Sequence, residues 1–304
     1  MFTIRQLRYF QILANTGHFG EASEKLGISQ PALSVQIAEM EKLAGSPLFE
    51  RTSKRIILTP LGCNFLPIIN DILARLSVLG DIVAAHESPL SYPIKLGIIP
   101  TVAPYILPSV LPKVRHLYPS LALQIQEAKT DRLVELLRNG HIDAIVAATP
   151  VEDGEFVSEP IFDDNFYYAL PRDDPQSVYK NVREGDVDTG KLLLLEEGHC
   201  LRDQTLEACQ TKKYRHDITA SSLTTLMQLV ANGIGITIIP QIAVSTEARL
   251  DNISVVAFEG ETPQRHICLF WRRRSRRSKD FKLLADILKS MAIPILDQAR
   301  NFIL

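Results

Sequence analysis

The sequence has few cysteines and no cysteine motif. Only four of its 304 residues are cysteines, and they are scattered along the chain rather than set in CxxC pairs. This spacing disfavours a zinc site built from thiolates, and we expect neither a metal nor a cofactor. We expect no apolar stretch to approach the ~18 residues that a membrane span needs, and the N-terminus favours an amphipathic helix over a signal sequence. These absences predict a cytoplasmic protein with no membrane partner.

The chain also lacks an excess of charge of either sign. It carries 33 basic and 35 acidic side chains, for a formal net charge of −2. Nothing therefore attracts the whole chain to nucleic acid, and any DNA binding must come from a local basic surface. A chain of 304 residues is long for a single core and predicts two or three domains.

The first sixty residues contain three closely spaced helix patterns. Apolar residues recur at helical spacing from Ile4 to Leu13, and this pattern stops at Gly17. A second short pattern stops at Gly27, and Ser29 can cap a third. We expect the third helix to bury four apolar side chains, Leu33, Ile37, Met40 and Leu43. Two helices joined by so short a turn are typical of a helix-turn-helix unit.

A basic hairpin and a long helix follow. Residues 51–58 combine basic side chains with a strand-like run and predict a β-wing beside the third helix. A helix should begin at Thr59-Pro60 and bend at Pro67. Its apolar residues recur at spacings of four and three, as in a coiled-coil seam: Leu61, Phe65, Ile68, Ile72, Leu76, Leu79 and Val83. Such a seam needs a partner helix and predicts a dimer.

Beyond a linker punctuated by Pro89 and Pro93, strand-like and helix-like segments alternate up to the C-terminal helix. Alternation of this kind favours a parallel, doubly wound sheet. The length of this part suits either one large sheet or two similar lobes. Two lobes around a ligand cleft is the more familiar arrangement at this size.

Several stretches carry a family resemblance. The chain resembles the LysR-type transcriptional regulators in FQILANTGHFGEASEKLGISQPALSVQIAEMEKLAGSPLFERTSKRIILTPLG, residues 10–62, and in MQLVANGIGITIIP, residues 227–240. Within that family, GIIPTVAPYILP, EAKTDRL and GHCLRDQ are similar to the OxyR subgroup, which senses hydrogen peroxide. One departure is Val35, where many family members carry a basic residue on the recognition helix.

The resemblance implies a winged helix-turn-helix, a long linker helix that dimerises, and an α/β two-lobed, periplasmic-binding-protein-like (Rossmann-like) regulatory domain. We expect the DNA-binding domain at 1–59, the linker helix at 60–88 and the regulatory domain at 89–304. Within the regulatory domain, lobe I should comprise about 92–162 and 268–304, and lobe II about 163–267. Family members commonly assemble as tetramers, so a dimer of dimers is expected.

The segment LLLLEEGHCLRDQTLEACQ, residues 192–210, holds two cysteines nine positions apart. If residues 200–209 form one helix, the Cα atoms of Cys200 and Cys209 lie ~13 Å apart on opposite faces. A disulfide needs Cα atoms closer than ~7 Å, so the two cysteines cannot be bridged without local unfolding. From spacing alone, unreactive cysteines are the more common case. The resemblance implies a redox pair, in which Cys200 is oxidised by peroxide and captured by Cys209.

Peroxide is attacked by a thiolate, so a sensing cysteine needs a lowered pKa and an open approach. A helix N-terminus at Cys200, with Arg202 and His199 nearby, would favour the thiolate. The family implies that Thr101 positions the peroxide oxygens, with Thr130 as a weaker candidate from the same lobe. The expected support of the peroxide site is therefore Thr101, Thr130, His199, Arg202 and Asp203. The site would lie between the lobes.

DNA contacts are expected from the third helix and the wing. Gln30, Ser34 and Gln36 are small polar side chains able to reach base edges, and Pro31 and Val35 offer apolar contact to thymine methyls. Further contacts, to phosphates or the minor groove, are expected from Ser29, Arg51, Thr52, Ser53 and Lys54. A two-fold dimer implies double-stranded DNA with inverted half-sites.

Other reactive residue types have ordinary explanations. Cys63 and Cys268 are expected to be inert packing, and the histidines show no metal-ligand spacing. The basic run WRRRSRRSK, residues 271–279, is expected to be a solvated or subunit-contact loop rather than a second DNA site.

We therefore expect a transcriptional regulator of oxidative-stress genes, not an enzyme, with RNA polymerase and a cellular thiol reductant as further partners. One alternative is a regulator of the same family that binds a metabolite between its lobes and whose cysteines are incidental. Another is a thiol peroxidase, which shares the sulfenic-acid chemistry. The winged head and the absence of a CxxC motif argue against the peroxidase.

Overall fold

The structure, a computed structural model, describes residues 1–51, 56–84, 89–151, 154–183, 187–211, 217–249 and 252–303. The chain divides into two compact units. The first comprises Met1–Ile82 and Asn139–His141, and the second comprises Val83–Arg138 and Ile142–Leu304. Each unit has its own hydrophobic core.

The first unit begins with three helices: α1 (Ile4–Thr16), α2 (Phe19–Leu26) and α3 (Gln30–Ala44). Thr3 and Gln6 form a capping box at the start of α1. Ser29 caps α3 by accepting a hydrogen bond from the Ala32 amide. Gly17, Gly27 and Gly45 end the helices in the left-handed conformation that favours glycine. The predicted helix-turn-helix is therefore confirmed.

The core of this unit lies between α1, α2 and α3. Phe10, Leu13 and Leu33 are fully buried. Ile37 and Met40 are buried as predicted, whereas Leu43 is 50% exposed, so its predicted burial is wrong. In the last turn of α3 it is Ala44, not Leu43, that packs against the core.

A hairpin and a long helix complete the unit. Strands β1 (Phe49–Arg51) and β2 (Ile56–Leu58) pair antiparallel, as expected for a wing. Helix α4 (Pro60–Ala84) is continuous through Pro67. On one face of α4, Ile69 is buried, and Phe65 and Leu73 pack against the core. On another face Ile68 and Leu79 are 62% and 59% exposed.

The composition of α4 corrects one expectation. Between Pro60 and Leu79 this helix is long and apolar enough to cross a membrane by length and composition alone, so the expectation that no stretch reaches that length is wrong. The reason is that, between Pro60 and Leu79, α4 carries apolar side chains on two faces and only two charged ones, Asp71 and Arg75, which pair at 2.9 Å. Such helices also occur in soluble proteins and are weak evidence for a membrane.

The second unit is built on an eight-stranded sheet. Its strands are β3 (Ile94–Ile98), β4 (Leu123–Glu127), β5 (Ala144–Ala148), β6 (Phe156–Pro171), β7 (Asn181–Val182), β10 (Thr237–Pro240), β11 (Ile253–Phe258) and β12 (Gln264–Arg272). A separate parallel pair is formed by β8 (Leu194–Leu195) and β9 (Thr219–Ala220). The helices are α5 (Ala103–Leu117), α6 (Thr130–Arg138), α7 (Cys200–Ala208), α8 (Leu223–Ala231), α9 (Gln241–Glu247) and α10 (Ser278–Ala299).

The order of the large sheet is β4-β3-β5-β12-β6-β11-β7, with β10 also paired to β6. Strands β3, β4 and β5 are parallel, as predicted. The prediction of an entirely parallel sheet is wrong, because β12 is antiparallel to both β5 and β6, and β10 and β11 are antiparallel to β6. The 16-residue strand β6 leads the chain from one half of the sheet to the other. Strand β12 then crosses back beside β6, so it runs antiparallel to β6.

We call the part built on β3, β4 and β5 with α5 and α6 the first lobe. The part built on β8, β9 and β10 with α7, α8 and α9 is the second lobe. The carboxyl ends of β3 and β4 lead into α5 and α6, and the end of β8 leads into α7. These loops carry Thr101, Lys129 and His199, which line one shared cavity.

The basic run at 271–279 is not simply a solvated loop, which corrects that expectation. Arg272 donates to the carbonyls of Leu137 and Ile142 at 2.7 and 2.6 Å. Buried Arg277 donates to the carbonyls of Tyr92 and Pro93 and pairs with Asp280 at 3.1 Å. The exposed cations of the run are Arg273, Arg274, Arg276 and Lys279. Arg273, although exposed, also donates to the carbonyls of Gly154 and Phe156 at 3.2 Å, so three of the six cations bind backbone carbonyls, a use that composition does not reveal.

Candidate functional site

The recognition surface lies on α3. Gln30, Pro31 and Val35 are exposed, and Ser34 and Gln36 are half-buried. The amide nitrogen of Gln36 donates to Glu39 at 2.9 Å, so this side chain is oriented along the helix. Strand β1 includes the backbone of Arg51; its side chain, and the whole of Thr52, Ser53 and Lys54, lie outside the described residues.

The two cysteines of the segment 192–210 occupy the two ends of α7. Cys200 is the first helical residue and is half-buried, while Cys209 caps the helix and is only 3% exposed. Both are free thiols. Since α7 is continuous from Cys200 to Ala208, helix geometry puts their Cα atoms ~13 Å apart. A bond between the two sulfurs therefore requires α7 to unfold in part.

A cavity of about 260 Å³ lies between the lobes, beside the residue that precedes Cys200. Its lining residues are Pro100, Thr101, Pro104, Tyr105, Glu127, Ala128, Lys129, Leu195, Glu196, His199, Ser221, Ser222, Leu223 and Thr224. The lining thus combines hydroxyl groups, two carboxyl groups, one ammonium group and an imidazole. Of the expected peroxide-site residues, the cavity brings together Thr101 and His199.

Thr101 is held by a buried ion pair that sequence reasoning missed. The guanidinium of Arg265 donates to the Thr101 hydroxyl oxygen at 2.8 Å and to its carbonyl at 3.2 Å. The same group pairs with Asp164 at 2.8 Å, and both side chains are fully buried. Asp164 also accepts from the Ile242 amide at 2.9 Å. Because the Thr101 oxygen accepts from Arg265, its hydrogen is free to be donated toward the cavity.

Burial and Arg265 act on Asp164 in opposite directions. Burial raises the pKa of the Asp164 carboxyl, and the Arg265 charge and the Ile242 N–H oppose that rise. The contacts of Asp164 with Arg265 and with the Ile242 amide hold the guanidinium of Arg265 in place.

A second network joins the lobes at the cavity wall. Glu247 accepts hydrogen bonds from the Tyr105 hydroxyl at 2.8 Å and from the Thr224 hydroxyl at 2.7 Å. Burial and the neighbouring Glu247 carboxylate raise the pKa of Tyr105, so the phenol remains protonated and a donor. Tyr105 belongs to α5 of the first lobe, and Glu247 to α9 of the second.

His199 is buried at the N-terminus of α7. Burial, together with the Lys129 ammonium, lowers the pKa of its imidazole, which is therefore neutral at neutral pH. A neutral ring adds no positive charge beside Cys200, and the role of His199 in supporting the peroxide site stays a prediction. Arg202 likewise has a structural contact, since its guanidinium donates to the Leu195 carbonyl at 2.8 Å and ties α7 to β8.

Thr130 and Asp203 lie outside the cavity lining. Thr130 is the first residue of α6, and its hydroxyl oxygen is buried with no hydrogen-bond partner among the residues that the structure describes. Asp203 is exposed in the first turn of α7. The sequence signal for the missed residues was slight: Asp164 follows Asp163 in β6, and Arg265 precedes His266 in β12, so nothing in the sequence marks these two as the buried charges.

The other two cysteines differ from each other. Cys268 is buried in β12, where burial raises its thiol pKa to about 11, in agreement with an unreactive packing role. Cys63 is exposed on α4, so its expected packing role is wrong. The cause is its position on α4, on a side that does not face the three-helix core.

Comparisons with known proteins bear on the whole chain. Residues 4–63 match the family described as bacterial regulatory helix-turn-helix protein, lysR family, and residues 87–292 match the LysR substrate binding domain. A "Probable hydrogen peroxide-inducible genes activator" of Mycobacterium avium is 37% identical over 94% of this chain and 93% of its own length.

Two solved structures are similar throughout. A cysteine-to-aspartate variant of full-length OxyR from Pseudomonas aeruginosa has a TM-score of 0.78 at 33% identity, covering 97% of each chain. A hydrogen peroxide-bound cysteine-to-serine variant of OxyR from Corynebacterium glutamicum has a TM-score of 0.69 at 35% identity, covering 98% of this chain and 95% of the other. With a helix-turn-helix head, a two-lobed domain and matches along nearly its whole length, the chain belongs to the LysR family of bacterial transcriptional regulators.

Proposed function

We propose that this regulator is activated by hydrogen peroxide through oxidation of Cys200 and formation of a disulfide with Cys209, and that it controls oxidative-stress genes. It acts as a switch rather than as an enzyme. The observation that carries the proposal is the placement of two free thiols at opposite ends of one continuous helix, the first directly after His199 of the cavity lining and the second in the core.

The chemistry consists of two displacements. The Cys200 thiolate attacks one peroxide oxygen, the O–O bond breaks, and hydroxide leaves and takes up a proton as water; Cys200 becomes a sulfenic acid. The Cys209 sulfur then attacks the Cys200 sulfur, the S–O bond breaks, and a second water leaves. Two thiols and one peroxide give one disulfide and two waters. A cellular thiol reductant returns the protein to its reduced form.

The residues around Cys200 suit the first displacement. Arg265 donates a hydrogen bond to the Thr101 hydroxyl oxygen, so the Thr101 hydroxyl hydrogen can be donated to peroxide. Thr130 adds a buried hydroxyl that lacks a hydrogen-bond partner and can therefore accept one from peroxide or donate one to it. Neutral His199 offers a hydrogen-bonding imidazole at the cavity wall. Arg202 supports the site by tying the first turn of α7 to β8. Asp203 supports it as an exposed, charged residue of the same turn.

The second displacement links the site to the rest of the molecule. Cys209 can reach Cys200 only if α7 unwinds, and α7 is anchored to β8 through Arg202. Unwinding therefore disturbs the second lobe, and we propose that this changes contacts between subunits and the spacing of the DNA-binding heads. RNA polymerase would respond to the changed arrangement.

The DNA side of the proposal uses α3 and the wing. Exposed Gln30, Pro31 and Val35 form the surface that would enter the major groove. The exposed apolar face of α4, with Ile68 and Leu79, supports a dimer and, by family likeness, a dimer of dimers on an inverted-repeat operator. In a cell, such a regulator would work in the cytoplasm.

A binding titration separates the two kinds of DNA contact. Arg51→Ala should weaken binding to specific and unrelated DNA alike and reduce the salt slope by about 1. Gln30→Ala should weaken binding to the operator alone, by roughly 1–3 kcal/mol. Equal losses on both DNAs for the Gln30 variant would contradict its assignment as a base-reading residue.

The redox switch is tested by peptide mapping of the reduced protein before and after one equivalent of peroxide. A rapid, reductant-reversible cross-link between Cys200 and Cys209 is expected, together with a changed footprint on DNA. Cys268→Ser is the matched control and should cross-link normally, because Cys268 is a buried thiol away from α7. A Cys200→Ser variant that still changes its footprint with peroxide would overturn the proposal. Sustained peroxide consumption with a reductant would instead indicate an enzyme.

A second function is favoured by the size of the cavity. Its 260 Å³ is several times the ~30 Å³ that a water molecule occupies in the liquid, and is larger than peroxide requires. A small metabolite would fit, as in regulators whose cysteines are incidental. If Cys200 stays fully alkylatable after peroxide, a screen of small acids and sugars for thermal stabilisation becomes the deciding experiment.

A further inference from the structure

Lys129 contacts the loop that leads into Cys200 from the opposite lobe. Its ammonium donates to the Glu197 carbonyl at 2.6 Å and lies 3.6 Å from the Glu196 carboxylate. The stem of Lys129 lies against Gly198: a Cβ placed on that glycine would come within 3.1 Å of the Lys129 Cδ. Gly198 has φ +85°, so this loop conformation also favours glycine.

The same residue directly precedes α6. The Lys129 carbonyl accepts from the Leu133 amide at 3.1 Å, and the next residue is Thr130 with its unpartnered buried hydroxyl. Lys129 therefore links α6 of the first lobe to Glu196 and Glu197 of the second lobe. In the chain these two residues are followed by Gly198, His199 and Cys200. In the second lobe, the start of α7 is held to β8 by the hydrogen bond from the Arg202 guanidinium to the Leu195 carbonyl.

We propose, on the basis of the peroxide function above, that Lys129 is a positioning residue for that reaction. Its ammonium clamps the 196–199 loop onto the first lobe, holds Cys200 in register with the hydroxyls of Thr101 and Thr130, and must let go before α7 can unwind. The clamp therefore acts on the two displacements in opposite directions. It assists the attack of the Cys200 thiolate on peroxide, and it delays the attack of the Cys209 sulfur on the Cys200 sulfenic acid, in which the S–S bond forms and water leaves.

The test separates the two steps in the full-length protein. The first step is measured as dimedone labelling of the sulfenic acid in a Cys209→Ser background. The second is measured as cross-link formation after a rapid peroxide pulse in the protein that keeps both cysteines. Lys129→Met removes the donor and keeps the stem, Lys129→Arg restores a donor, and Lys282→Met removes an exposed lysine from α10 as the matched control.

Lys129→Met should slow the first step about fivefold and speed the second about fivefold, the factor that corresponds to ~1 kcal/mol for a half-exposed charged hydrogen bond. Lys129→Arg should return both rates toward wild type, and Lys282→Met should leave both unchanged. Opposite changes in the two rates cannot arise from a general loss of stability, which would alter both steps in the same sense. If Lys129→Met leaves both rates unchanged, or lowers both, the clamp is wrong.

Amide hydrogen exchange without peroxide keeps the clamp testable if the redox function itself fails. The amides of His199 and Cys200 should exchange faster in Lys129→Met than in the wild type or in Lys282→Met. A wild type that forms no cross-link while this exchange difference is present would refute the peroxide function and leave the clamp standing. No exchange difference would refute the clamp in either case.

Discussion

Removing Arg265 should both destabilise the regulatory domain and impair Thr101. In Arg265→Met, Asp164 loses the bonds at 2.8 and 2.9 Å and remains fully buried, still accepting from the Ile242 amide. Breaking a buried pair by removing one partner costs roughly 3–5 kcal/mol, because the remaining charge is uncompensated. We expect an unfolding free energy lower by about that amount in urea titrations of the reduced protein.

The pH dependence gives the sign of the effect. Without Arg265, less opposes the burial that raises the pKa of Asp164, so the pKa in the folded variant rises further. A carboxyl whose folded pKa exceeds its unfolded pKa of ~3.9 binds more protons when folded. The deficit of the variant should therefore be smallest near pH 4 and grow as the pH rises toward neutrality.

The double variant Arg265→Met/Asp164→Leu separates stability from function. Replacing both charges by apolar side chains removes the uncompensated carboxylate, so most of the lost stability should return. The Thr101 hydroxyl would still lack its donor, and oxidation of Cys200 should remain slow in single and double variants alike. A double variant as unstable as Arg265→Met, or one that recovers wild-type oxidation rates, would refute this account of the pair.

Three further predictions concern other parts of the chain. A Cβ on Gly62 would lie 2.2 Å from the Leu48 carbonyl oxygen, so Gly62→Ala should lower the melting temperature and cost roughly 1–3 kcal/mol of stability. Gly154 lies in open space, so Gly154→Ala should leave the melting temperature unchanged. Equal melting curves for the two variants would contradict this. Because burial raises the Cys268 pKa to about 11, its alkylation by iodoacetamide should stay slow at pH 8 and accelerate toward pH 11, and rapid labelling at pH 8 would show that it is exposed. Ile68→Lys on α4 should weaken self-association in sedimentation velocity, whereas Ile293→Lys, at a similarly exposed position of α10, should not.

The sequence was most informative where the signal is local. Gly17, Gly27 and Ser29 act within one or two turns of the helices that they end or begin, so the head could be predicted almost residue by residue. The continuity of α7 and the separation of Cys200 from Cys209 also depend only on local helix geometry. Periodicity also identified the apolar residues of α4. It could not show which of them pack on the core of the first unit and which are exposed.

Prediction failed where a residue's role depends on a distant partner. Asp164 and Arg265 lie 101 positions apart, and only the antiparallel pairing of β6 with β12 places them opposite each other. Arg272 and Arg277 look like surface charge in a basic run, yet they donate to carbonyls more than 100 positions away. The family likeness pointed to Thr101, but its hydrogen-bonding state follows from Arg265, which no local pattern connects to it.

His199 illustrates how burial reverses a prediction made from residue type. A histidine beside a reactive cysteine suggests an imidazolium that stabilises the thiolate. In the structure, desolvation and the neighbouring Lys129 ammonium both disfavour the charged form, so the imidazole pKa is lowered from ~6.5 and the ring is neutral at pH 7. The effect of His199 on the reactivity of Cys200 must then come from hydrogen bonding and packing. Neither effect depends on a change in the protonation of the ring between pH 7 and 8.

Comparing the wild type with His199→Gln tests this. Glutamine keeps a hydrogen-bonding group but does not titrate, so the ratio of the two Cys200 alkylation rates should be constant from pH 6.5 to 8.5. If His199 were an imidazolium partner of the thiolate, the wild type would hold its advantage at the acidic end and lose it as the ring deprotonated. A ratio that falls about tenfold across this range, as expected when a ~1.4 kcal/mol charge interaction is lost, would show that His199 is charged in the reduced protein.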